Sequence, residues 1–323
     1  AGYTGGPSDA LAGNRMIKHD GYADNPYGVY FDHQDRVFQD GTYYTNYIGV
    51  AHNTGRTAIF TSFENNFNSG IVWNTNGANR QNFRLNADHW FTDIFQLSSS
   101  TFVGQNIMDI ADGRFTSGWG GGQGSAFFDM LFFTPDTDLE ANAPEGYLLN
   151  KYFIHPNPWQ KDNGNPLHAL FYQDRNLERK NIQQSFRVNY FATDWLSFNA
   201  IYSLERVNIL NERYRPKGFL TSQQITDGGI YKAASELLSN TYGLTANINK
   251  AFGMFNTRSK VSYLYEGYRS HFFSVNASDL AVSRINTLNA ITGDKTVSSS
   301  TTETRARNLF AIVDADYDNR YII

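Results

Sequence analysis

The chain contains no cysteine. Disulfides, zinc–thiolate sites and thiol catalysis are therefore excluded. No run of about 18 apolar residues occurs, so no helix of this sequence is expected to cross a bilayer. There is no basic excess: 27 Lys and Arg stand against 31 Asp and Glu, a formal net charge of −4. That balance gives no electrostatic footprint for nucleic acid. Catalytic signatures are also missing. His19, His33, His52, His89, His155, His168 and His271 are scattered, without H-x-x-H or H-E-x-x-H spacing, so no catalytic metal site is expected. The glycine run from Gly118 to Gly124 lacks the following G-K-[ST] of a phosphate loop and reads as a flexible loop. Asp136, Asp138 and Glu140 are of a type that hard cations take, but they read as a solvated acidic loop. No cofactor is expected.

Aromatic residues are plentiful. They make up 15% of the chain, with 20 Tyr and 25 Phe. The mean hydropathy of −0.48 is too polar for a bundle of membrane helices. It is compatible with a membrane barrel, because half of every barrel strand faces a polar lumen.

The clearest pattern runs from Asn181 to Asn208. Phe186, Val188 and Tyr190 alternate with Ser185, Arg187 and Asn189. After a turn at Ala192, Thr193 and Asp194, beside Trp195, the residues Leu196, Phe198, Ala200, Tyr202 and Leu204 alternate with Ser197, Asn199, Ser203 and Glu205. Successive side chains of a strand point to opposite faces. This is a hairpin with one apolar and one polar face, and an aromatic collar at its turn.

The same alternation recurs along the chain. Strands are expected over Thr42–Ala51, Thr57–Asn68, Arg80–Phe91, Ile94–Met108, Thr241–Phe252, Thr257–Phe273 and Asn308–Arg320. Short turns fall near Gly55, Asp93, Asp194, Gly253 and Asn319. Long loops are expected at the other end, over 69–79, 109–180, 210–238 and 275–304. Five of the eight prolines (Pro135, Pro144, Pro156, Pro158 and Pro166) lie in the largest of them. Residues 1–41 read as an irregular lead-in, and 42–323 as the barrel portion. Short turns at one end and long loops at the other are the asymmetry of outer-membrane barrels. Trp90, Phe91, Trp195, Phe252, Phe255, Tyr317 and Tyr321 lie near the short turns and are expected at one membrane interface. The start, AGYTGG, lacks a secretory signal pattern, and the end, DNRYII, lies inside a strand-like stretch; both suggest a piece of a longer polypeptide.

The stretches FQDGTYYTNYIGVAHNTGRTAIFTSFENNFNSGI, RQNFRLNADHWFTD, TDWLSFNAIYSLE, INKAFGMFNTRSKVSYLYE and NLFAIVDADYDNRYII, in this order, resemble the SusC/RagA-type TonB-dependent transporters of the Bacteroidetes outer membrane. The resemblance covers most of the chain from Val37 onward. It implies an all-β fold: an antiparallel transmembrane β-barrel, here about nine or ten strands of an expected barrel of about 22 strands with a plugged lumen. It also implies import of oligosaccharides or peptides with a SusD-like surface lipoprotein, powered by TonB through a plug and a TonB-contacting segment that this chain does not display. No covalent chemistry is expected. Outer-membrane lipid and a glycan or peptide are the implied partners.

The polar face is expected to carry Arg84, Asn86, Asp88, Arg187, Asn189, Asn199, Glu205, Asn247, Asn249, Lys260, Asp314 and Asp316. Among these, Arg187, Asn199 and Glu205 are candidates for ligand contact. The loop aromatics Trp119, Phe132, Phe133, Trp159 and Tyr172 are candidates for stacking on a sugar or packing a lid protein, with Phe132 and Phe133 expected to pack within the loop or against a partner rather than touch substrate. Two alternatives carry different expectations. A passive porin or structural barrel would have no plug, and a soluble β-rich carbohydrate-binding or hydrolytic protein would partition into buffer without detergent. The facing assignment makes one prediction. Phe198→Arg, at the lipid midplane, is expected to cost about 2–4 kcal/mol of barrel stability, and Asn199→Arg markedly less. Denaturant unfolding of the two variants in detergent micelles compares them, and equal losses would reject the assignment.

Overall fold

The computed structural model describes residues 31–111, 126–131, 133, 137–143, 145–152, 164–220, 225–317 and 321–322. Ten strands form one antiparallel sheet. In chain order these are β1 (Tyr43–Asn53), β2 (Thr57–Asn68), β3 (Ala78–Thr92), β4 (Phe95–Asp109), β5 (Asp174–Thr193), β6 (Leu196–Arg215), β9 (Gly229–Phe252), β10 (Phe255–Ser278), β11 (Lys295–Tyr317) and β12 (Tyr321–Ile322). The two-residue strands β7 (Phe219–Leu220) and β8 (Ile225–Thr226) pair only with each other. Each strand of the large sheet lies beside its chain neighbours, and the sheet does not close on itself. Among the described residues, no helix is long and apolar enough to cross a membrane.

Register settles which side chains share a face. Tyr190 lies opposite Phe198, which lies opposite Ala246 and so opposite Val261. In the next row, Asn189, Asn199, Thr245 and Ser262 stand together on the other face. All the residues expected on the polar face do share one, from Arg84, Asn86 and Asp88 through to Asp314, which pairs with Arg258. The outward face carries large apolar groups in the open: Leu309 is 74% exposed and Val313 64%. So wide an apolar face is not a soluble surface; it needs cover by lipid or protein.

The apolar band is short compared with the strands. On β6 it runs from Leu196 to Leu204 and then gives way to Arg206 and Asn208. A barrel strand needs only about 9–11 residues to cross the hydrocarbon layer. Yet β9 and β10 have 24 residues each, a length of about 80 Å at the usual strand rise. Charged pairs on the outward face begin where the band ends. Lys180 meets Glu178 at 2.7 Å, Arg206 pairs with Glu236, Lys232 meets Glu212 at 2.7 Å, and Arg305 meets Glu303 at 2.9 Å. Exposed pairs add little stability, about 0–1 kcal/mol each, but they mark where water replaces lipid.

This extension shortens the expected loops. The interruption at 109–180 ends at Asp174, and that at 210–238 contracts to 216–228, because β6 and β9 run through Leu210–Arg215 and Gly229–Leu238. That at 275–304 contracts to 279–294, and that at 69–79 to 69–77. Outside lipid a strand needs no apolar face, so its alternation fades while its ladder continues. Where apolar groups return on the outward face, at Tyr214, Ile230, Val275 and Ala277, Leu280 and Ile291 of the 279–294 connection cover them.

The short turns near Gly55, Asp93, Asp194 and Gly253 are present, and the one expected near Asn319 lies outside the described residues. Gly55 and Gly253 adopt φ of 65°, a conformation that favours glycine. Near them, Lys250 Nζ sits 4.1 Å from the Trp195 ring centre, and Phe255 packs on Tyr317 at 4.8 Å. Trp90 departs from the expected belt. It lies opposite Gln96, in register with the polar face, and stacks on Phe191 at 6.1 Å.

The buried core lies at the long-loop end. Helix α1 (His33–Val37) falls inside the expected irregular lead-in, so residues 1–41 are not wholly irregular. Helices α2 (Ala126–Leu131) and α3 (Pro166–Tyr172) fall inside the largest loop. Val37, Met130, Phe133, Leu139, Leu167 and Leu170 pack together there, against Val72, Trp73 and Tyr152. Asn165 holds the package. It is 3% exposed; its Nδ2 donates to the carbonyls of Leu139 (2.7 Å) and Tyr152 (2.8 Å), and its Oδ1 accepts from Leu167 N (2.9 Å), capping α3. Asn165→Ala strands these groups without water, so a local loss of about 2–3 kcal/mol is expected. Amide exchange across 164–172 should accelerate accordingly, and Asn165→Asp, which keeps only the cap, should not restore it.

His168 is the second fastening. Its Nδ1 donates to Lys151 O (2.9 Å), and Leu220 N donates to its Nε2 (3.2 Å), between the rings of Tyr172 and Phe219. An Nε2 that accepts carries no proton, so the ring is neutral. Burial lowers its pKa from 6.5 to about 4, opposed in part by the bond to Lys151. A depressed histidine favours the folded state above its unfolded pKa. Stability of this package is therefore complete above about pH 6.5 and falls as pH drops toward 4, by up to about 3 kcal/mol. After correction for intrinsic exchange, the Leu220 amide should lose protection between pH 7 and pH 4.5, and His168→Gln should flatten that dependence.

Candidate functional site

The polar face of the sheet is the candidate site. Backbone register assembles it from residues far apart in the chain. Arg84 of β3, Phe102 of β4, Gln183 of β5, Glu205 of β6 and Ser239 of β9 form one row across five strands. Around this row lies a hollow of about 510 Å³, lined also by Ser100, Ser185, Ser203 and Thr241. Its walls carry opposite charges. The Arg84 guanidinium rests over the Phe102 ring at 5.6 Å, and Glu205 accepts from Gln183 Nε2 at 2.9 Å. The arrangement offers one cation, one anion and a floor of hydroxyls and amides. It can hold a polar solute by hydrogen bonds.

A second hollow, of about 320 Å³, lies nearer the short turns. Asn189, Asn199, Thr245, Asn247 and Lys260 line it. Its amides are chained: Asn189 Nδ2 donates to Gln96 Oε1 at 2.9 Å, and Asn199 Nδ2 donates to Asn189 Oδ1 at 2.5 Å. This ladder fixes the side chains across β4, β5 and β6. Amides locked in this way present an ordered surface and lose little entropy on contact with a solute.

The ligand candidates therefore separate. Glu205 belongs to the first hollow and Asn199 to the second. Arg187 lies between them on the same face, opposite Ser98 and Ile201. Tyr172 is elsewhere, at the end of α3. Its hydroxyl accepts from Lys151 N at 3.1 Å, and its ring packs on His168 and Phe171 at 4.8 Å. It is half-buried in the loop package. Trp119 and Trp159 lie outside the described residues, as does the glycine run 118–124. Phe133 packs within the loop core, as the sequence suggested; Phe132 lies outside the described residues.

The acidic stretch does not assemble a cation site. Asp138 Oδ1 accepts from Glu140 N at 2.9 Å, and Glu140 pairs with Arg36 at 3.2 Å; Asp136 lies outside the described residues. Among the described residues, no group of three or more His, Asp or Glu side chains is placed to hold a metal ion. Phe102, Gln183 and Thr241 were not singled out in the sequence. Their one signal is parity, since each falls on the same face as an assigned polar residue. Arg213 and Arg215 were hidden inside an expected loop.

The architecture is part of a transmembrane β-barrel: strands in chain order, an exposed apolar band outside, and polar side chains with hollows inside. Comparison with solved structures makes the fold specific. It is similar to the RagAB peptide transporter, with a TM-score of 0.69 at 12% identity over 96% of this chain and 35% of that one. The RagAB peptide importer gives 0.66 in its closed-closed state, at 14% identity, and 0.66 in its open-open state, at 15% identity, each over 97% of this chain and 35% of that one. At 12–15% identity the likeness is one of fold: this chain folds as part of those transporter structures does. This chain spans about a third of the length of those transporters, 35%. No family model matches the sequence, and no curated protein does.

Proposed function

We propose that residues 42–323 form part of the wall of an outer-membrane, TonB-dependent importer of oligosaccharides or peptides, working with a SusD-like surface lipoprotein. The observation that carries this reading is the pairing of an exposed apolar band with a continuous polar face on the same strands. A soluble sheet would have no use for the first, and a wall without a solute path would have no use for hollows lined by fixed amides. On this reading the long-loop end faces outside, where the lipoprotein delivers cargo, and the Trp195 end faces the periplasm. The hollows around Glu205 and Asn199 lie along the cargo path or against a plug. TonB acts on other parts of the protein, and this wall confines and guides the solute. On this reading the protein moves its cargo and does not convert it.

Membrane extraction and uptake together test this. The full-length protein should stay with the outer-membrane fraction until detergent is added. Cells that carry it with its lipoprotein should accumulate a labelled oligopeptide or oligosaccharide, and accumulation should fall to the level of cells without the protein when TonB is deleted. Release into detergent-free buffer would overturn the membrane assignment. Uptake that survives loss of TonB would make it a passive porin.

A further inference from the structure

At the long-loop end of the polar face, β6 finishes with Arg213 and Arg215. Arg213 lies opposite Arg175 of β5 and Tyr231 of β9, and Tyr231 lies opposite Asn276 of β10. One row further, Arg215 lies opposite Gly229, and Gly229 opposite Ser278. Arg213, Arg215, Gly229, Tyr231, Asn276 and Ser278 line a cavity of about 250 Å³. Gly229 leaves its floor open: a Cβ there would stand 2.9 Å from Ala277 O.

Both guanidiniums lie over aromatic rings. Arg213 is 5.1 Å from the Tyr231 ring centre, and Arg215 is 5.3 Å from that of Phe219. Ring contact covers the flat face of a guanidinium and leaves its N–H edge available. Among the described residues, no acidic side chain pairs with that edge. Among the described residues, Arg213 and Arg215 make no ion pair, whereas Arg36, Arg56, Arg80, Arg206, Arg269 and Arg305 do. Nearby carboxylates are committed elsewhere or face away. Glu212 is held by Lys232 at 2.7 Å, Asp227 meets Lys217 at 3.4 Å, and Asp174 lies opposite Tyr214 on the outward face. Burial, followed by the neighbouring Arg175 for Arg213 and Arg213 for Arg215, pushes both guanidinium pKa values down. Arg213 is exposed and Arg215 half-buried; two guanidiniums side by side without an acidic partner among the described residues repel each other, and an arriving anion relieves that repulsion.

We propose that this cavity binds an oxyanion carried by the imported solute, either a carboxylate or a phosphate ester, held by the edges of Arg213 and Arg215. This rests on the reading of the polar face as a solute path, and it deepens that reading by giving the cargo a negative charge. The flat fork of a guanidinium matches two oxygens of a carboxylate or phosphate, which a neutral amide does not offer.

The test uses the full-length protein in detergent and three probes: N-acetyl-triglycine, its C-terminal amide, and glycerol 1-phosphate. Calorimetry at low salt should show the free acid or the phosphate binding at least about tenfold more tightly than the amide, a preference that salt weakens. Whichever of the two anions binds identifies the source of the oxyanion. The double variant Arg213→Gln, Arg215→Gln should lose the preference while still migrating as a folded, heat-modifiable barrel. Phenylglyoxal labelling of the unaltered protein, read by peptide mass spectrometry, gives the same answer should that variant not assemble. The bound anion should shield Arg213 and Arg215 but leave Arg258, at the other end of the face, reactive. Equal binding of acid and amide, a preference that survives the double substitution, or labelling at Arg213 and Arg215 unaffected by the anions would overturn the proposal. TonB-dependent uptake is a separate measurement, so failure here would leave the transport assignment intact.

Discussion

Inside a bilayer there is no water to satisfy backbone N–H and C=O groups, and everything else in this structure follows from that constraint. Every strand that crosses must pair along its length on both sides. The sheet meets the demand internally: apart from a shift between Phe191 and Thr193 at the turn end of β5, registers run on across β5, β6, β9, β10 and β11, strands of 20 to 24 residues. Its two margins do not meet it alone. β1 is exposed throughout, and among the described residues β11 pairs with β12 at two positions. A ladder in lipid with two such margins calls for further strands beside them, which agrees with a chain that spans 35% of the solved transporters it resembles.

The same ladder governs the site. Because pairing is antiparallel and in register, residues more than a hundred positions apart in sequence come into one row. Arg84 and Glu205 meet across a hollow only because β3, β4, β5 and β6 stack without slipping; a slip of one residue would turn every polar group toward lipid. Side-chain amides reinforce the register where the hollows lie. The chain from Gln96 through Asn189 to Asn199 spans three strands, and it sits on the wet face, where amides are welcome.

Above the apolar band a different principle takes over. The strands continue, but with water on both sides their outward faces carry ion pairs instead of apolar groups. Stability there comes from a small core built by α1, α2 and α3 with the connection between β2 and β3. Two polar side chains fasten it. Asn165 uses its amide in three hydrogen bonds, and His168 bridges Lys151 and β7 in its neutral form. Long connections are thereby folded into a cap and not left as free loops, which gives the mouth of the polar face a defined surface.

The hairpin around Asp194, the apolar band and the polar face were legible in the sequence, because lipid on one side and water on the other impose a two-residue period on every strand that crosses. That period also placed Arg187, Asn199 and Glu205 on the correct side. It misled at Trp90, where nearness to a turn suggested the belt although parity with Asp88 puts it on the wet face. It fell silent beyond Leu204 and before Thr241, where nothing distinguishes the two sides of a strand in water, and so Arg213 and Arg215 read as loop. Parity also says nothing about rows. That Arg84 and Glu205 line one hollow, that Gly229 lies in a cavity between Arg215 and Ser278, and that Asn165 and His168 lie buried all depend on pairing between distant segments. The sequence by itself determined the class of wall, through a local alternation that water and lipid enforce residue by residue. Only the tertiary structure decided which charges meet across it, because that depends on register summed over many strands.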